Sequence, residues 1–264
     1  MQPEPAAITQ RRSERKSWLR RTLRLSQQEG VAASLMTATS DHFFNACAIF
    51  LQASLSQMGW VTGLPQLFGA AAQLCSVWLA NHFHRKPLIT ITAAIQASIV
   101  VAMGILAALR PDSAVWIFII LAALYHSSMN VIQPHWRSWM GSIVPERRRG
   151  KFFAFRGRLT MATSMCVFIA GGVLLTATDD RGYAGLGFLA LFMAAATGRL
   201  VSAGLLWQMH DPEPHQAGDG VMFRQTLYNF GKAWRDKTFR HYSLFVAFML
   251  AMVAISAPFF AVYM

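Results

Sequence analysis

The sequence predicts an all-α polytopic membrane protein, and two features of its composition indicate this fold class. Of the 264 residues, 54% are hydrophobic and only 14% are charged, whereas about a quarter of the residues in a soluble domain are charged. The charged residues are clustered, which leaves long stretches without Asp, Glu, Lys or Arg. A helix needs about 20 residues to cross ~30 Å of hydrocarbon. Seven helices of sufficient length are predicted, at residues 30–52, 59–80, 87–109, 114–140, 159–178, 184–207 and 241–264.

A basic segment, residues 1–29, precedes the first predicted helix. It contains an amphipathic pattern formed by Trp18, Leu19, Thr22 and Leu25 among many arginines. One interpretation is a helix in the headgroup region, with its apolar face toward the lipid tails and its cations near anionic lipid. The other interpretation is a solvated linker helix.

The second to sixth helices are predicted from stretches that lack charge. Residue 199 is the one charged position within 182–210. Because an arginine side chain is long, Arg199 is predicted to snorkel to the inner interface. The stretches with no Asp, Glu, Lys or Arg are 42–84, 87–109, 113–136 and 159–178.

A 33-residue segment, 208–240, separates the sixth and seventh predicted helices. Proline and glycine residues between Asp211 and Gly220 favour a linker over a continuous helix. A second amphipathic pattern follows, and it allows the same two interpretations as the first. Its apolar residues are Phe223, Leu227, Phe230 and Trp234. The predicted organisation is thus a basic segment (1–29), a six-helix bundle (30–207), a central loop (208–240) and a seventh helix (241–264).

The distribution of positive charge predicts the orientation in the membrane. Of the 24 Lys and Arg residues, 21 lie in alternate connecting segments, and basic loops resist translocation. The N-terminus is therefore predicted to be cytoplasmic. Since the charge is confined to loops, the net charge of +12 is interpreted as topology and gives no indication of a nucleic-acid partner.

A polar stripe along the first predicted helix is the strongest functional signal. Ser34, Thr37, Asp41 and Asn45 fall at positions i, i+3, i+7 and i+11, which share one helix face. Asp41 lies near the middle of the span, where a charged side chain costs roughly 2.5 to 3.5 kcal/mol. One hypothesis is a carboxylate that binds a proton or cation in a water-filled cavity. The alternative is a structural hydrogen bond between helices.

The fourth predicted helix carries a second polar stripe, formed by His126, Asn130, Gln133 and Arg137. If the first and fourth helices face each other, His126 and Asn130 lie at the depth of Asp41, and a carboxylate and a histidine could share a proton. A packed polar helix with satisfied side chains is the alternative for His126. Arg137 is predicted to lie near the inner mouth.

Motifs of known enzymes are missing from the sequence. It has no H-E-x-x-H, no G-x-S-x-G and no glycine-rich phosphate loop with lysine. The histidines lack the supporting carboxylates of a metal site. No catalytic residue, metal or cofactor is predicted.

Two inner segments resemble those of a known family. The segment 77–86 is similar to the loop between the second and third spans of the major facilitator superfamily, although Asn81 replaces the family's aspartate. The segments 134–140 and 144–153 resemble the family's fourth-span exit and the loop after it. The segment 257–264 resembles its seventh span. The residues of the first loop that agree with the family are Leu79, Ala80, Arg85 and Lys86.

The resemblance implies a transporter of two six-helix bundles, of which this sequence holds the first bundle and one further helix. We therefore expect a secondary transporter of a small molecule that works by alternating access and is coupled to protons. It is expected in the lipid bilayer of a bacterial inner membrane. A second six-helix half is expected in the same longer chain or in a partner. The rival interpretation is a truncated or non-transporting membrane module, such as a scaffold or receptor. The predicted cavity residues are Thr37, Asp41, Asn45, His126, Asn130 and Gln133. The predicted inner-gate residues are Asn81, Arg85, Lys86, Arg137, Glu146, Arg147 and Arg148.

Overall fold

The computed structural model describes residues 5–211, 228 and 231–263, and it describes no side chains at 5–16, 77, 81 and 254–263. No β-strand occurs in this part of the chain, which confirms the all-α fold. The central segment with Phe223, Leu227 and Phe230 lies outside the described residues. The long helices are α1 (Pro5–Phe50), α2 (Leu55–His82), α3 (Arg85–Leu109), α4 (Ala114–Ile143), α5 (Glu146–Asp179), α6 (Ala184–Gln208) and α7 (Lys237–Tyr263).

Four helices within the described residues, α3 to α6, are long and apolar enough to cross a membrane. The sequence predicts seven such helices, and α1 and α2 differ from the four because they contain more polar residues. The first half of α1 is highly charged and its second half carries the polar stripe. Helix α2 includes Gln57, Gln66 and Gln73. In both helices, these polar side chains lower the mean hydropathy.

The first helix begins at Pro5 rather than near residue 30, which corrects the predicted boundary. The basic segment is therefore a direct extension of α1. Trp18, Leu19 and Leu25 pack against a buried cluster at one end of the bundle, and Thr22 is buried. The apolar face of this segment thus contacts protein, a third possibility beside the headgroup region and solvent. The cluster consists of Ile89, Ala93, Ile132, Trp139, Met140, Ile143, Ala203, Leu206 and Met209.

Several connections between helices are shorter than the sequence predicts. Helix α2 begins at Leu55, four residues before the predicted start, because Ser54 and Gln57 form a reciprocal capping box. Only Val144 and Pro145 separate α4 from α5. Arg149 then satisfies the exposed carbonyl end of α4, since its Nη2 donates to the Gly141 carbonyl at 2.5 Å. The predicted connection at 141–158 is therefore mostly helix.

Aromatic packing holds α1 against α4 and α6 near the middle of the bundle. The ring of Phe44 lies 5.1 Å from Tyr125, 5.6 Å from Phe118 and 6.0 Å from Phe192. All four side chains are buried. Edge-to-face contacts of this kind stabilise a core beyond their buried area. They fix the polar stripe of α1 beside the polar stripe of α4.

Candidate functional site

A cavity of about 740 Å³ lies between α1, α2 and α4, and we call it the large cavity. Five of the six predicted cavity residues line it: Thr37, Asp41, His126, Asn130 and Gln133. The sixth, Asn45, is half-buried and lies outside the lining. The full set of lining residues is Thr37, Ser40, Asp41, Gln73, Tyr125, His126, Met129, Asn130, Gln133, Pro134 and Arg137.

The helical repeat explains why the two stripes meet at this cavity. Residues four apart lie on the same face of a helix, so His126 and Asn130 project in a similar direction from α4. The Asn130 Nδ2 donates to the His126 carbonyl at 2.9 Å. Gly69 of α2 lies directly opposite, and a Cβ atom there would be 2.6 Å from the Asn130 Nδ2. A larger residue at position 69 would therefore displace the Asn130 side chain, while the contact with the α4 backbone, 3.6 Å from the His126 carbonyl oxygen, would remain an ordinary one.

Asp41 is held at the cavity wall by a short chain of hydrogen bonds from α4. The buried Tyr125 hydroxyl donates to the Ser40 Oγ at 2.8 Å, and the Ser40 Oγ lies 3.3 Å from the Asp41 Oδ1. The Ser40 hydroxyl has one proton, which it can also donate to the Thr37 carbonyl at 2.8 Å. Asp41 itself is exposed to the cavity. Its carboxylate therefore retains most of its acceptor capacity for water, a proton or a ligand.

His126 shares the cavity wall with Asp41, and aromatic rings pack around it. Its ring centroid lies 5.3 Å from Tyr125 and 6.4 Å from Phe44. Among the described residues, Ser40 is the side chain that hydrogen-bonds to the Asp41 carboxylate, so Asp41 and His126 make no direct bond. A proton shared between the two residues stays a prediction, which requires a bridging water or a movement of the helices.

A second pocket, of about 240 Å³, is lined by three charged residues whose association the sequence did not predict, and we call it the charge pocket. Glu29 of α1 accepts a bond from the Arg156 Nη2 of α5 at 2.6 Å and from the Ser202 Oγ of α6 at 3.0 Å. The Arg199 Nη1 donates to the same Ser202 Oγ at 3.2 Å. Arg199 is only 3% exposed. The prediction that it snorkels to the interface is therefore wrong, because it is bound inside the bundle instead.

The charge pocket could not be predicted from the positions of the charge-free stretches in the sequence, because its charged residues come from three different helices. Glu29 and Arg156 both lie in segments that the sequence analysis assigned to basic connections. One local signal in the sequence of α6 is Gly198, which precedes Arg199. In the structure Gly198 allows α6 to approach α1 closely, because a Cβ atom at residue 198 would lie 2.9 Å from the Ala32 carbonyl oxygen. The two pockets share Thr37, Met129 and Gln133 as lining residues, so they adjoin each other.

The predicted inner-gate residues do not form a single group. Arg85, at the start of α3, forms a two-pronged ion pair with Asp211 just after α6. The Lys86 Nζ lies 5.3 Å from the ring of Trp207. Arg137 lines the large cavity. The side chain of Asn81 lies outside the described residues.

The remaining three predicted gate residues lie in the first turn of α5. Glu146 is exposed and lies 3.7 Å from the Arg149 Nη1. Arg147 and Arg148 are exposed as well. Their placement on a helix corrects the expectation, which the resemblance implied, of a loop within 144–153. A gating role for any of these residues stays a prediction.

Comparison with known proteins gives one match. A family model described as Major Facilitator Superfamily matches residues 30–264, which covers the large cavity and all but one of the side chains of the charge pocket. No curated protein and no solved structure matches the chain.

Proposed function

Because this chain belongs to the Major Facilitator Superfamily, a family of membrane transporters, we propose that it is a secondary active transporter of a small molecule, driven by protons. The apolar helices and the family together identify it as an integral membrane protein. Proton coupling, alternating access and the orientation in a bacterial inner membrane are parts of the proposal. The observation that supports it most strongly is Asp41, a carboxylate on the wall of the large cavity.

The proposed mechanism uses Asp41 as the proton carrier. The carboxylate binds a proton when the cavity opens to one side of the membrane and releases it when the cavity opens to the other. Tyr125 and Ser40 hold the carboxylate in place, while His126 and Asn130 contact substrate or alter the proton affinity of Asp41. Since ionisable groups inside a membrane are costly, they mark ion and substrate pathways.

Alternation between the two openings requires a second bundle. In this fold, two bundles rock about a site at their interface, and α7 is the start of that second half in the proposal. The ion pair between Arg85 and Asp211 ties α3 to the end of α6, so the first bundle can move as a unit. The second half belongs to the same longer chain or to a partner.

Transport can be tested without knowing the substrate. The protein is expressed from its own gene, and membrane vesicles that contain it receive a ¹³C-labelled extract of bacterial small molecules and an imposed proton gradient. We expect at least one labelled compound to accumulate, and a protonophore to abolish the accumulation. Uptake is measured by mass spectrometry. The absence of any gradient-driven uptake would favour a non-transporting membrane module.

The role of Asp41 is tested by Asp41→Asn in the same vesicles. Gradient-driven accumulation should fall to the level of vesicles without the protein, because the amide cannot bind and release a proton. Exchange of labelled for unlabelled substrate should persist, since exchange needs no net proton release. Asp112→Asn is the control, because Asp112 is an exposed carboxylate between α3 and α4. Full accumulation in Asp41→Asn would refute proton coupling through this residue.

A further inference from the structure

The charge pocket holds an excess of positive charge. Two guanidinium groups, those of Arg156 and Arg199, line it together with a single carboxylate, that of Glu29. Glu29 is 3% exposed and Arg199 is 3% exposed, so bulk water screens neither side chain well. Buried charges are normally paired. One positive charge in this pocket is left without a matching carboxylate among the residues that line it.

The hydrogen-bond donors of the pocket are also incompletely used. Arg199 donates from Nη1 to Ser202, but its Nε and Nη2 are buried and have no partner within the described part of the chain. The buried Trp136 Nε1 of α4 likewise has no partner there. A guanidinium group carries five N–H donors and no acceptor. These free donors therefore favour a ligand that supplies acceptors.

None of the remaining polar side chains that line the pocket, which are Ser34, Thr37, Gln133 and Thr160, accepts a hydrogen bond from these donors. The Ser34 hydroxyl donates to the Gly30 carbonyl at 2.6 Å, and the Thr160 hydroxyl donates to the Gly157 carbonyl at 2.9 Å. Glu29 already accepts from Arg156 and Ser202. The guanidinium group of Arg156 lies 4.2 Å from the Trp136 ring, which orients both side chains at the pocket wall.

We propose that the charge pocket is a binding site for an oxyanion, a carboxylate or phosphate group, held by Arg199, Arg156 and the Trp136 indole N–H. Arginine binds such groups through short, charge-assisted hydrogen bonds. The volume of about 240 Å³ accommodates one such group with water. The anion is either a small solute that arrives through the adjoining large cavity or the headgroup of an anionic lipid. This proposal does not depend on transport, because the site can bind an anion in a protein that moves nothing.

The experiment measures the thermal unfolding midpoint of the full chain in nanodiscs, with sodium phosphate compared with sodium chloride at equal ionic strength. A ligand that binds only the folded state raises the midpoint, and the rise grows with the logarithm of the ligand concentration divided by Kd. Neutral phosphatidylcholine nanodiscs test a soluble anion. Nanodiscs that contain phosphatidylglycerol or phosphatidic acid test a lipid headgroup. A rise with phosphate in neutral lipid identifies a soluble anion, and a rise with anionic lipid alone identifies a headgroup.

Variants that remove either a donor or the carboxylate of the charge pocket make the test specific to this site. Arg199→Gln should weaken anion binding roughly tenfold or more, since it removes a charged donor. Trp136→Phe should weaken it less, because it keeps the ring beside Arg156 and removes only the N–H. Glu29→Gln should enlarge the anion-induced rise, because it removes the competing carboxylate. Arg158→Gln is the matched control, since Arg158 lies on α5 and is exposed.

The proposal is overturned if neither phosphate nor anionic lipid raises the midpoint of the wild-type protein. It is also overturned if Arg199→Gln responds as strongly as Arg158→Gln. If Arg199→Gln does not fold, Trp136→Phe and Glu29→Gln decide the question, because the anion site predicts a smaller rise in the first and a larger rise in the second. A merely structural network predicts equal rises in both.

Discussion

The large cavity and the charge pocket adjoin each other, yet their carboxylates differ in exposure and in hydrogen bonding. In the large cavity, Asp41 is exposed to the cavity and Ser40 is its hydrogen-bond partner. In the charge pocket, Glu29 is buried and accepts bonds from two helices. The difference is consistent with the proposed exchange of a proton between Asp41 and water, whereas the bonds of Glu29 link α1, α5 and α6. Substitutions in the two regions should therefore affect different properties.

The largest expected effect is on stability, from Glu29→Ala. The substitution leaves Arg156 and Arg199 without their carboxylate, and breaking a buried ion pair costs about 3 to 5 kcal/mol. The free energy of unfolding in mixed detergent micelles measures this cost. Glu146→Ala is the control, because its side chain is 86% exposed beside Arg149, and exposed pairs contribute at most about 1 kcal/mol. Equal losses of unfolding free energy in Glu29→Ala and Glu146→Ala would show that the buried ion pair of the charge pocket stabilises the fold no more than an exposed pair does.

A smaller effect is expected where α6 approaches α1 at the charge pocket. In Gly198→Ala, the new methyl group would lie 2.9 Å from both the Ala32 carbonyl oxygen and the Leu35 side chain, so the helices must move apart at a cost of about 1 to 3 kcal/mol. Gly204→Ala on the same helix meets nothing within 4 Å. It should be neutral or stabilising by up to about 1 kcal/mol. The free energy of unfolding in mixed detergent micelles measures both effects. Equal stability of the two variants would contradict the close packing of α6 against α1.

The smallest expected effect on stability is in the large cavity. Tyr125→Phe removes the hydroxyl that donates to Ser40, and the loss of one such bond costs about 1 kcal/mol. Asp41 should then be held less firmly, so gradient-driven uptake should fall more than stability does. Tyr183→Phe removes an exposed hydroxyl and should change neither property. A variant Tyr125→Phe with wild-type uptake would show that this hydrogen-bond chain does not position Asp41.

The large cavity could be predicted from the sequence because its residues follow the period of single helices. Asp41 and Thr37 repeat along α1, and His126, Asn130 and Gln133 repeat along α4. A carboxylate in an apolar span is conspicuous in any sequence, since its cost demands a polar environment. Asn45 belongs to the same pattern but lies outside the lining, because the pattern does not show where the cavity ends.

The charge pocket could not be predicted in the same way, since its charges belong to tertiary structure. Glu29 stands at the end of a basic segment, and Arg156 stands among other cations in the sequence. Each residue looks like an ordinary flanking charge until α1 is known to continue back to Pro5 and α5 to begin at Glu146. Arg199 was conspicuous, but the sequence did not reveal its link to Glu29 through Ser202.

Asp41 can carry protons only if it faces water within the membrane, and cysteine labelling measures this exposure. Cys47, Cys75 and Cys166 are first replaced by serine, and Asp41→Cys is then treated with a membrane-impermeant thiol reagent in vesicles. Leu124→Cys is the control, because Leu124 on α4 is 50% exposed but does not line the cavity. We expect rapid modification at position 41 in at least one state of the protein and slow modification at position 124. An unreactive cysteine at position 41 in every state of the folded protein would contradict the account.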